Sequence, residues 1–162
     1  NMGIIHFRVD DRLIHGQVAV MCTNAYRINR IMVIDDKTSL DDFAKKTLKL
    51  SVPQGVALSV LSVKKASERI NEGNYDNQRV FIVVKNIDTL YRLLMDYPIS
   101  IEEVNLGNQT YHDGYIKIRS TISFNKKEIE QLKEISKKGV RLIYQLIPQH
   151  PQEILNKEIE QL

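Results

Sequence analysis

Ile4-Ile5-His6-Phe7-Arg8-Val9 runs directly into Asp10-Asp11-Arg12-Leu13-Ile14-His15-Gly16-Gln17-Val18. The first six residues read as a buried strand, and residues 18–25 suit a helix. A histidine therefore falls on the connection between a strand and a helix, among two carboxylates, an arginine and a glycine. In an open α/β sheet, the loop at the carboxyl end of a strand is where ligands bind. An imidazole placed there can act as a nucleophile, with Arg12 steadying an oxyanion or phosphate beside it.

Working outward, the same alternation continues along the chain. Residues 31–34 are a short apolar strand closed by Asp35-Asp36, after which Ser39 is the expected cap of a helix. Residues 56–61 give a third strand and 64–71 a helix stopped by Gly73. Residues 79–85 are apolar on both faces, as a central parallel strand should be. Asp88 is the expected cap of a helix with Leu90, Leu93 and Leu94 at helical spacing. Residues 103–106 form a shorter strand running into Gly107-Asn108, read as a turn, and 115–118 suggest a small strand. Asn125 with Glu128 is a capping-box signal for a helix that buries Ile129, Leu132 and Ile135 and stops at Gly139. A last strand over 140–147 and a tail helix over 153–162 complete the expectation. Strands alternating with helices in this way predict a single doubly wound α/β domain, with a mostly parallel sheet and helices on both faces.

Composition agrees with that reading. The chain has 162 residues, 43% hydrophobic and 27% charged, enough to build one real core and too ordered in composition for a disordered segment. No apolar run approaches the roughly 20 residues that span a bilayer, and the start lacks a signal-peptide pattern, so a soluble cytoplasmic protein is expected. The single cysteine, Cys22, excludes an internal disulfide framework and reads as a small apolar residue on a helix. The net charge is +3 and the pI about 8.9. Lysines and arginines are dispersed, without the basic stripe and interleaved aromatics of a nucleic-acid binder. A mildly basic surface suits an acidic protein partner.

In a parallel sheet the carboxyl ends of the strands gather on one edge. That edge would bring together Asp10 to His15, Asp35-Asp36, Lys85-Asn86 and residues 107–110, a mixture suited to a phosphoryl group. Gly16 leaves room for close backbone approach, and the following helix N-terminus favours an anion. The four histidines, His6, His15, His112 and His150, are scattered without metal-ligand spacing, so no metal is expected. P-loop, dinucleotide-binding and G-x-S-x-G patterns are absent, so no nucleotide cofactor is expected either. His6 is read as packed in the first strand, and His112 and His150 as surface residues.

The stretch Arg8 to Val18 resembles the phosphorylation-site signature of the IIB components of the mannose/fructose/sorbose family of the bacterial sugar phosphotransferase system. The family pattern, R-[VI]-D-x-R-[LI]-[IV]-H-G-Q-V, is matched without interruption. Residues 31–36 resemble the family's second strand and acidic turn, and Val104-Asn105-Leu106-Gly107-Asn108 its V-N-[VLI]-G-[GN] segment. The resemblance covers essentially the whole chain, so residues 1–162 are expected to form one IIB domain. Where many members carry a tryptophan seven residues after the histidine, this chain has Cys22.

The resemblance implies a seven-stranded sheet and a phosphocarrier. His15, through Nδ1, would accept a phosphoryl group from a phosphohistidine of the IIA component and pass it to a sugar bound by the membrane IIC and IID components, at the inner face of the membrane. A histidine with its ordinary pKa of about 6.5 is largely neutral at pH 7 and competent as a nucleophile. Phosphoryl transfer needs in-line positioning and charge stabilisation rather than covalent help. Arg12 and the backbone amides of Ile14, Gly16 and Gln17 are assigned to the phosphoryl oxygens, and Asp10 to orienting Arg12 or the loop. Asp11 is read as a surface residue, Arg8 as a second basic contact or docking residue, and Asp35, Lys85, Gly107 and Asn108 as the rim. No cofactor is needed, because the donor is already a phosphorylated imidazole. Monomer and homodimer are both left open. A phosphatase or mutase with a phosphohistidine, and a non-catalytic regulatory module, are the alternatives.

Overall fold

The computed structural model describes residues 3–162. Its elements run β1 (Gly3–Asp10), α1 (Gly16–Tyr26), β2 (Arg30–Ile34), α2 (Asp36–Ser39), α3 (Asp42–Leu50), β3 (Ala57–Leu61), α4 (Val63–Asn71), β4 (Arg79–Val84) and α5 (Ile87–Met95). They continue with β5 (Glu103–Asn108), β6 (Ile116–Arg119), β7 (Ile122–Phe124), α6 (Lys126–Lys137), β8 (Arg141–Tyr144), β9 (Glu153–Ile154) and α7 (Asn156–Glu160). Seven strands form one sheet in the order β3-β2-β4-β1-β5-β8-β9, parallel except for β9; β6 and β7 make a separate antiparallel pair. The expected seven-stranded, mostly parallel sheet is what the chain forms.

Strand side chains alternate between faces, and two apolar clusters divide along that alternation. Ile31, Val33, Phe81 and Val83 gather with Val18, Ala19 and Cys22 of α1 and Leu48 of α3. Met32, Ile34, Val80, Ile82 and Val84 gather with residues of α4, α5, α6 and α7. Cys22 is a buried, free thiol whose pKa burial pushes up to about 11, with the Arg8 charge opposing. It behaves as the packing residue the sequence suggested.

Several boundaries move for local chemical reasons. Ser39 does not cap a helix: Asp35 caps α2 by accepting from the Thr38 amide, and Asp41 caps α3 by accepting from the Ala44 amide. Asn86, not Asp88, caps α5. A short side chain within two residues of a strand's end meets the new helix's third amide first, so the earlier Asx residue takes the role. The Asn125–Glu128 capping box forms as expected, and Gly139 takes φ of 92° after α6, the left-handed region that favours glycine. Gly107 and Asn108 are not a turn but the last residues of β5. The last long strand is shorter than expected, ending at Tyr144, and the tail is split: Glu153–Ile154 pairs antiparallel with β8 before the short α7. The strand β7 was not anticipated.

β1 lies in the middle of the sheet, flanked by β4 and β5, so its carboxyl end opens at the centre of the edge where the helices begin. No helix among the described residues is long and apolar enough to cross a membrane.

Candidate functional site

The loop between β1 and α1 is held by a carboxylate gripped from two sides. Asp10 is 1% exposed, and so is Arg8 two residues before it. Asp10 Oδ1 accepts from the Arg12 backbone amide and from Arg12 Nε, both at 3.0 Å. Asp10 Oδ2 accepts from Arg12 Nη2 at 2.9 Å and from Arg8 Nε at 3.1 Å. The loop turns back on itself, with the Leu13 amide donating to the Asp10 carbonyl at 2.9 Å and Leu13 itself at φ 59°. A leucine in the left-handed region is uncommon and costs about 1–2 kcal/mol, so the Asp10 contacts must hold it there.

Arg8 is not at the rim. Its Nη1 donates to the carbonyls of Gln145 (3.5 Å) and Leu146 (3.2 Å), just past β8. Its guanidinium lies against the backbone of Gly107, where an added Cβ would collide with it. The pairing register shows the same accommodation: Val9 faces Leu106 but Asp10 faces Asn108, so Gly107 is skipped. The V-N-L-G-N segment thus carries its glycine to admit a buried arginine. Asn105 supports the far side, exchanging hydrogen bonds with the Gln145 backbone at 2.8 and 3.0 Å.

Asp11 is not a free surface group. It accepts from Asn108 Nδ2 and from the Thr110 amide, each at 2.8 Å, while its own amide donates to the Asn108 carbonyl. Burial pushes its pKa up, but the bonds from Thr110 and Asn108 and the Arg12 charge outweigh this and hold it below the ordinary carboxylate value. Arg12 is pushed the other way, mainly by its bonds to Asp10. Arg12 remains 37% exposed, a cation fixed at its base and open at the surface.

His15 sits half-buried as the N-cap of α1, and no side chain caps that helix. The Ala19 amide donates to the His15 carbonyl as the first bond of the helix, so the earlier amides of Gly16 and Gln17 have no partner within it and lie in the exposed first turn. An added Cβ on Gly16 would meet nothing within 4 Å, so the approach is open there. His15 Nδ1 points inward, buried and without a hydrogen-bond partner among the described residues. The void it shares with Arg8, Ile14, Val18 and Phe81 is about 10 Å³.

Of the expected rim, Lys85 is exposed at the end of β4, with its carbonyl accepting from Gln109 Nε2 at 2.9 Å. Asn108 is half-buried and spent on Asp11. Asp35 is 8% exposed and committed to the Thr38 amide and hydroxyl, so it is not a rim group. His112 and His150 are exposed, and His6 is packed between Tyr26 and Phe81. Sequence reasoning placed Thr110 on this edge but missed the supporting roles of Asn105 and Gln145. The available signal was a polar residue interrupting each apolar strand run, Val104-Asn105-Leu106 and Tyr144-Gln145-Leu146. No group of side chains among the described residues is arranged to hold a metal ion.

Fold and loop together define a class: an α/β domain whose central strand delivers a half-exposed histidine to the open start of a helix, three residues after an arginine fixed by a buried carboxylate. The family model described as "PTS system sorbose subfamily IIB component" matches residues 4–161, and the chain belongs to that family. The mannose-specific EIIAB component of Escherichia coli K12 is 33% identical over 135 residues, covering 83% of this chain and 42% of that protein. The chain therefore spans less than half the length of that relative. The sorbose-specific EIIB component of Lacticaseibacillus casei is 28% identical over 96% of this chain and 94% of its own. The crystal structure of the IIBSor domain of the sorbose permease from Klebsiella pneumoniae superposes with a TM-score of 0.89 at 25% identity, covering 99% of this chain and 98% of that one. This is a IIB component of a sugar phosphotransferase system.

Proposed function

We propose that His15 accepts a phosphoryl group from the phosphohistidine of a IIA component and passes it to a sugar of the sorbose, mannose or fructose class held by membrane IIC and IID components. The observation that carries this reading is the uncapped first turn of α1 with a half-exposed imidazole at its head, on a loop whose exposed Arg12 is held by Asp10. In each step one N–P bond breaks as the next bond to phosphorus forms. On the way in, the ring proton that His15 gives up balances the one the leaving donor imidazole takes. On the way out, the proton lost by the sugar hydroxyl balances the one His15 takes, so each imidazole leaves neutral. Arg12 and the amides of Gly16 and Gln17 meet charge on the equatorial oxygens, where donors fixed beforehand cost no reorganisation.

The inward Nδ1 adds one requirement. A void of about 10 Å³ admits no phosphoryl group, so transfer at Nδ1 needs the ring to turn outward about its side-chain torsions. With Nδ1 unpartnered, that turn breaks no hydrogen bond. The chain would work on the cytoplasmic side, meeting IIA and then the membrane components.

Incubation with the general phosphotransfer proteins, a IIA component and phosphoenolpyruvate should give acid-labile phosphate on the wild type and none on His15→Ala. Equal labelling of that variant would remove His15 as the acceptor. Arg12→Ala should keep its fold and slow single-turnover transfer by about 100- to 1000-fold, the range for losing one charge-stabilising donor. An unchanged rate would remove the role given to Arg12.

A further inference from the structure

The most exposed apolar side chains fall within residues 40–50, between the end of α2 and the end of α3 rather than on the β1–α1 loop. Leu40 is 87% exposed, Phe43 80% and Leu50 88%. Phe43, Lys46 and Leu50 fall at i, i+3 and i+7 of α3, one face of the helix, and Leu40 precedes them just after α2. The opposite side of α3 is satisfied, with Leu48 buried against the sheet. The outward row is therefore not a frayed core face but a second, unpartnered one. Lys37, Lys46 and Lys49 are exposed around it. Beside the row, a cleft of about 650 Å³ is lined by Lys45, Lys46 and Lys49 on one side and by Val52, Val56 and Leu58 on the other.

We propose that the α2–α3 face rests on an anionic lipid surface. Three observations choose this occupant. The apolar residues protrude as a convex row rather than lining a pocket, which suits a soft phase that closes around them. The lysines that flank them can reach headgroup phosphates while their stems lie along the apolar row. The adjoining cleft repeats the same chemistry, cationic on one wall and apolar on the other, as an anionic amphiphile needs. The carboxylates nearest to this surface are engaged or sit at the helix start: Asp36 pairs with Arg92 at 2.8 Å, Asp41 caps α3, and Asp42 lies in its first turn. With Asp41 and Asp42 acidic at that end, the cationic part of the face is the later turns of α3, around Lys46 and Lys49. Leu40 and Phe43 lie toward the same sheet edge as the β1–α1 loop, because α2 follows directly from the carboxyl end of β2. A chain lying on this face holds its histidine edge beside the bilayer. The surface stands independently of the role given to His15.

Sedimentation with phosphatidylcholine vesicles, with and without phosphatidylglycerol and with no membrane protein present, tests this directly. The wild type should sediment with the anionic vesicles only, less so as salt rises. The double variant Phe43→Ser/Leu50→Ser, and separately Lys46→Glu/Lys49→Glu, should bind about tenfold more weakly or worse. Both should still accept phosphate at His15 at the wild-type rate, which shows that they are folded. Absence of wild-type binding at low salt, or variants that bind as well as wild type, would overturn the proposal. So would sedimentation that requires IIC and IID in the vesicles. A dimer in solution that Phe43→Ser/Leu50→Ser dissociates would assign the face to a second copy of the chain instead.

Discussion

Replacing Asp10 by asparagine removes one charge and turns one of two acceptor oxygens into a donor. The carboxylate takes four hydrogen bonds, two on each oxygen, all from guanidinium or amide N–H groups. Whichever oxygen becomes the NH2, two donors are left facing a donor. The more costly consequence is on Arg8, which is 1% exposed and has this as its sole salt bridge among the described residues. Breaking a buried ion pair by removing one partner costs about 3–5 kcal/mol, because the remaining charge stays buried without compensation. Against a typical total stability of about 5–15 kcal/mol, Asp10→Asn should remain folded but clearly weakened. Urea denaturation followed by circular dichroism is the assay, with the midpoint shifted and the slope unchanged. The same variant should release Arg12 and let Leu13 relax from its left-handed conformation, slowing phosphate acceptance by His15. A stability loss below about 1 kcal/mol would refute the reasoning, since it would mean that water or backbone already neutralises Arg8.

Two further outcomes follow from the same geometry. Gly107→Ala should destabilise the fold by about 1–3 kcal/mol, the range for forcing an extra methyl into packed space, and the penalty should shrink in an Arg8→Met background; equal losses in both backgrounds would disprove the contact. His6 is buried against Tyr26 and Phe81, and burial together with the Arg8 charge lowers its pKa from 6.5 to about 4. The unfolded chain therefore binds a proton that the folded chain refuses between those values, so this contribution is intact above pH 6.5 and is lost as pH falls towards 4, a change on the order of 3 kcal/mol. Urea titrations across that window should show the slope in wild type and a flatter profile in His6→Phe; the same slope in both would acquit His6.

Much of the architecture was legible because it is local. The Asn125–Glu128 cap needs only residues three apart, and the strand runs announce themselves by continuous apolar side chains that must be covered on both faces. The misplaced caps share one cause. Asp35 competes with Ser39 and Asn86 with Asp88, and only backbone geometry picks between them.

The sequence by itself determined the alternation of strands and helices and the delivery of His15 to a strand–helix loop, since both rest on hydrophobic periodicity and on signals between near neighbours. The order in which the strands pair did not follow from it. Tertiary structure alone decided what Arg8, Asp11 and Gly107 do. Arg8 meets carbonyls 137 and 138 residues away, and Asp11 meets an amide 99 residues away. Side-chain type says that an arginine needs acceptors and that a glycine leaves space. It does not say which distant strand supplies them. That pairing is made when the sheet closes and a buried charge has to find its partners within reach.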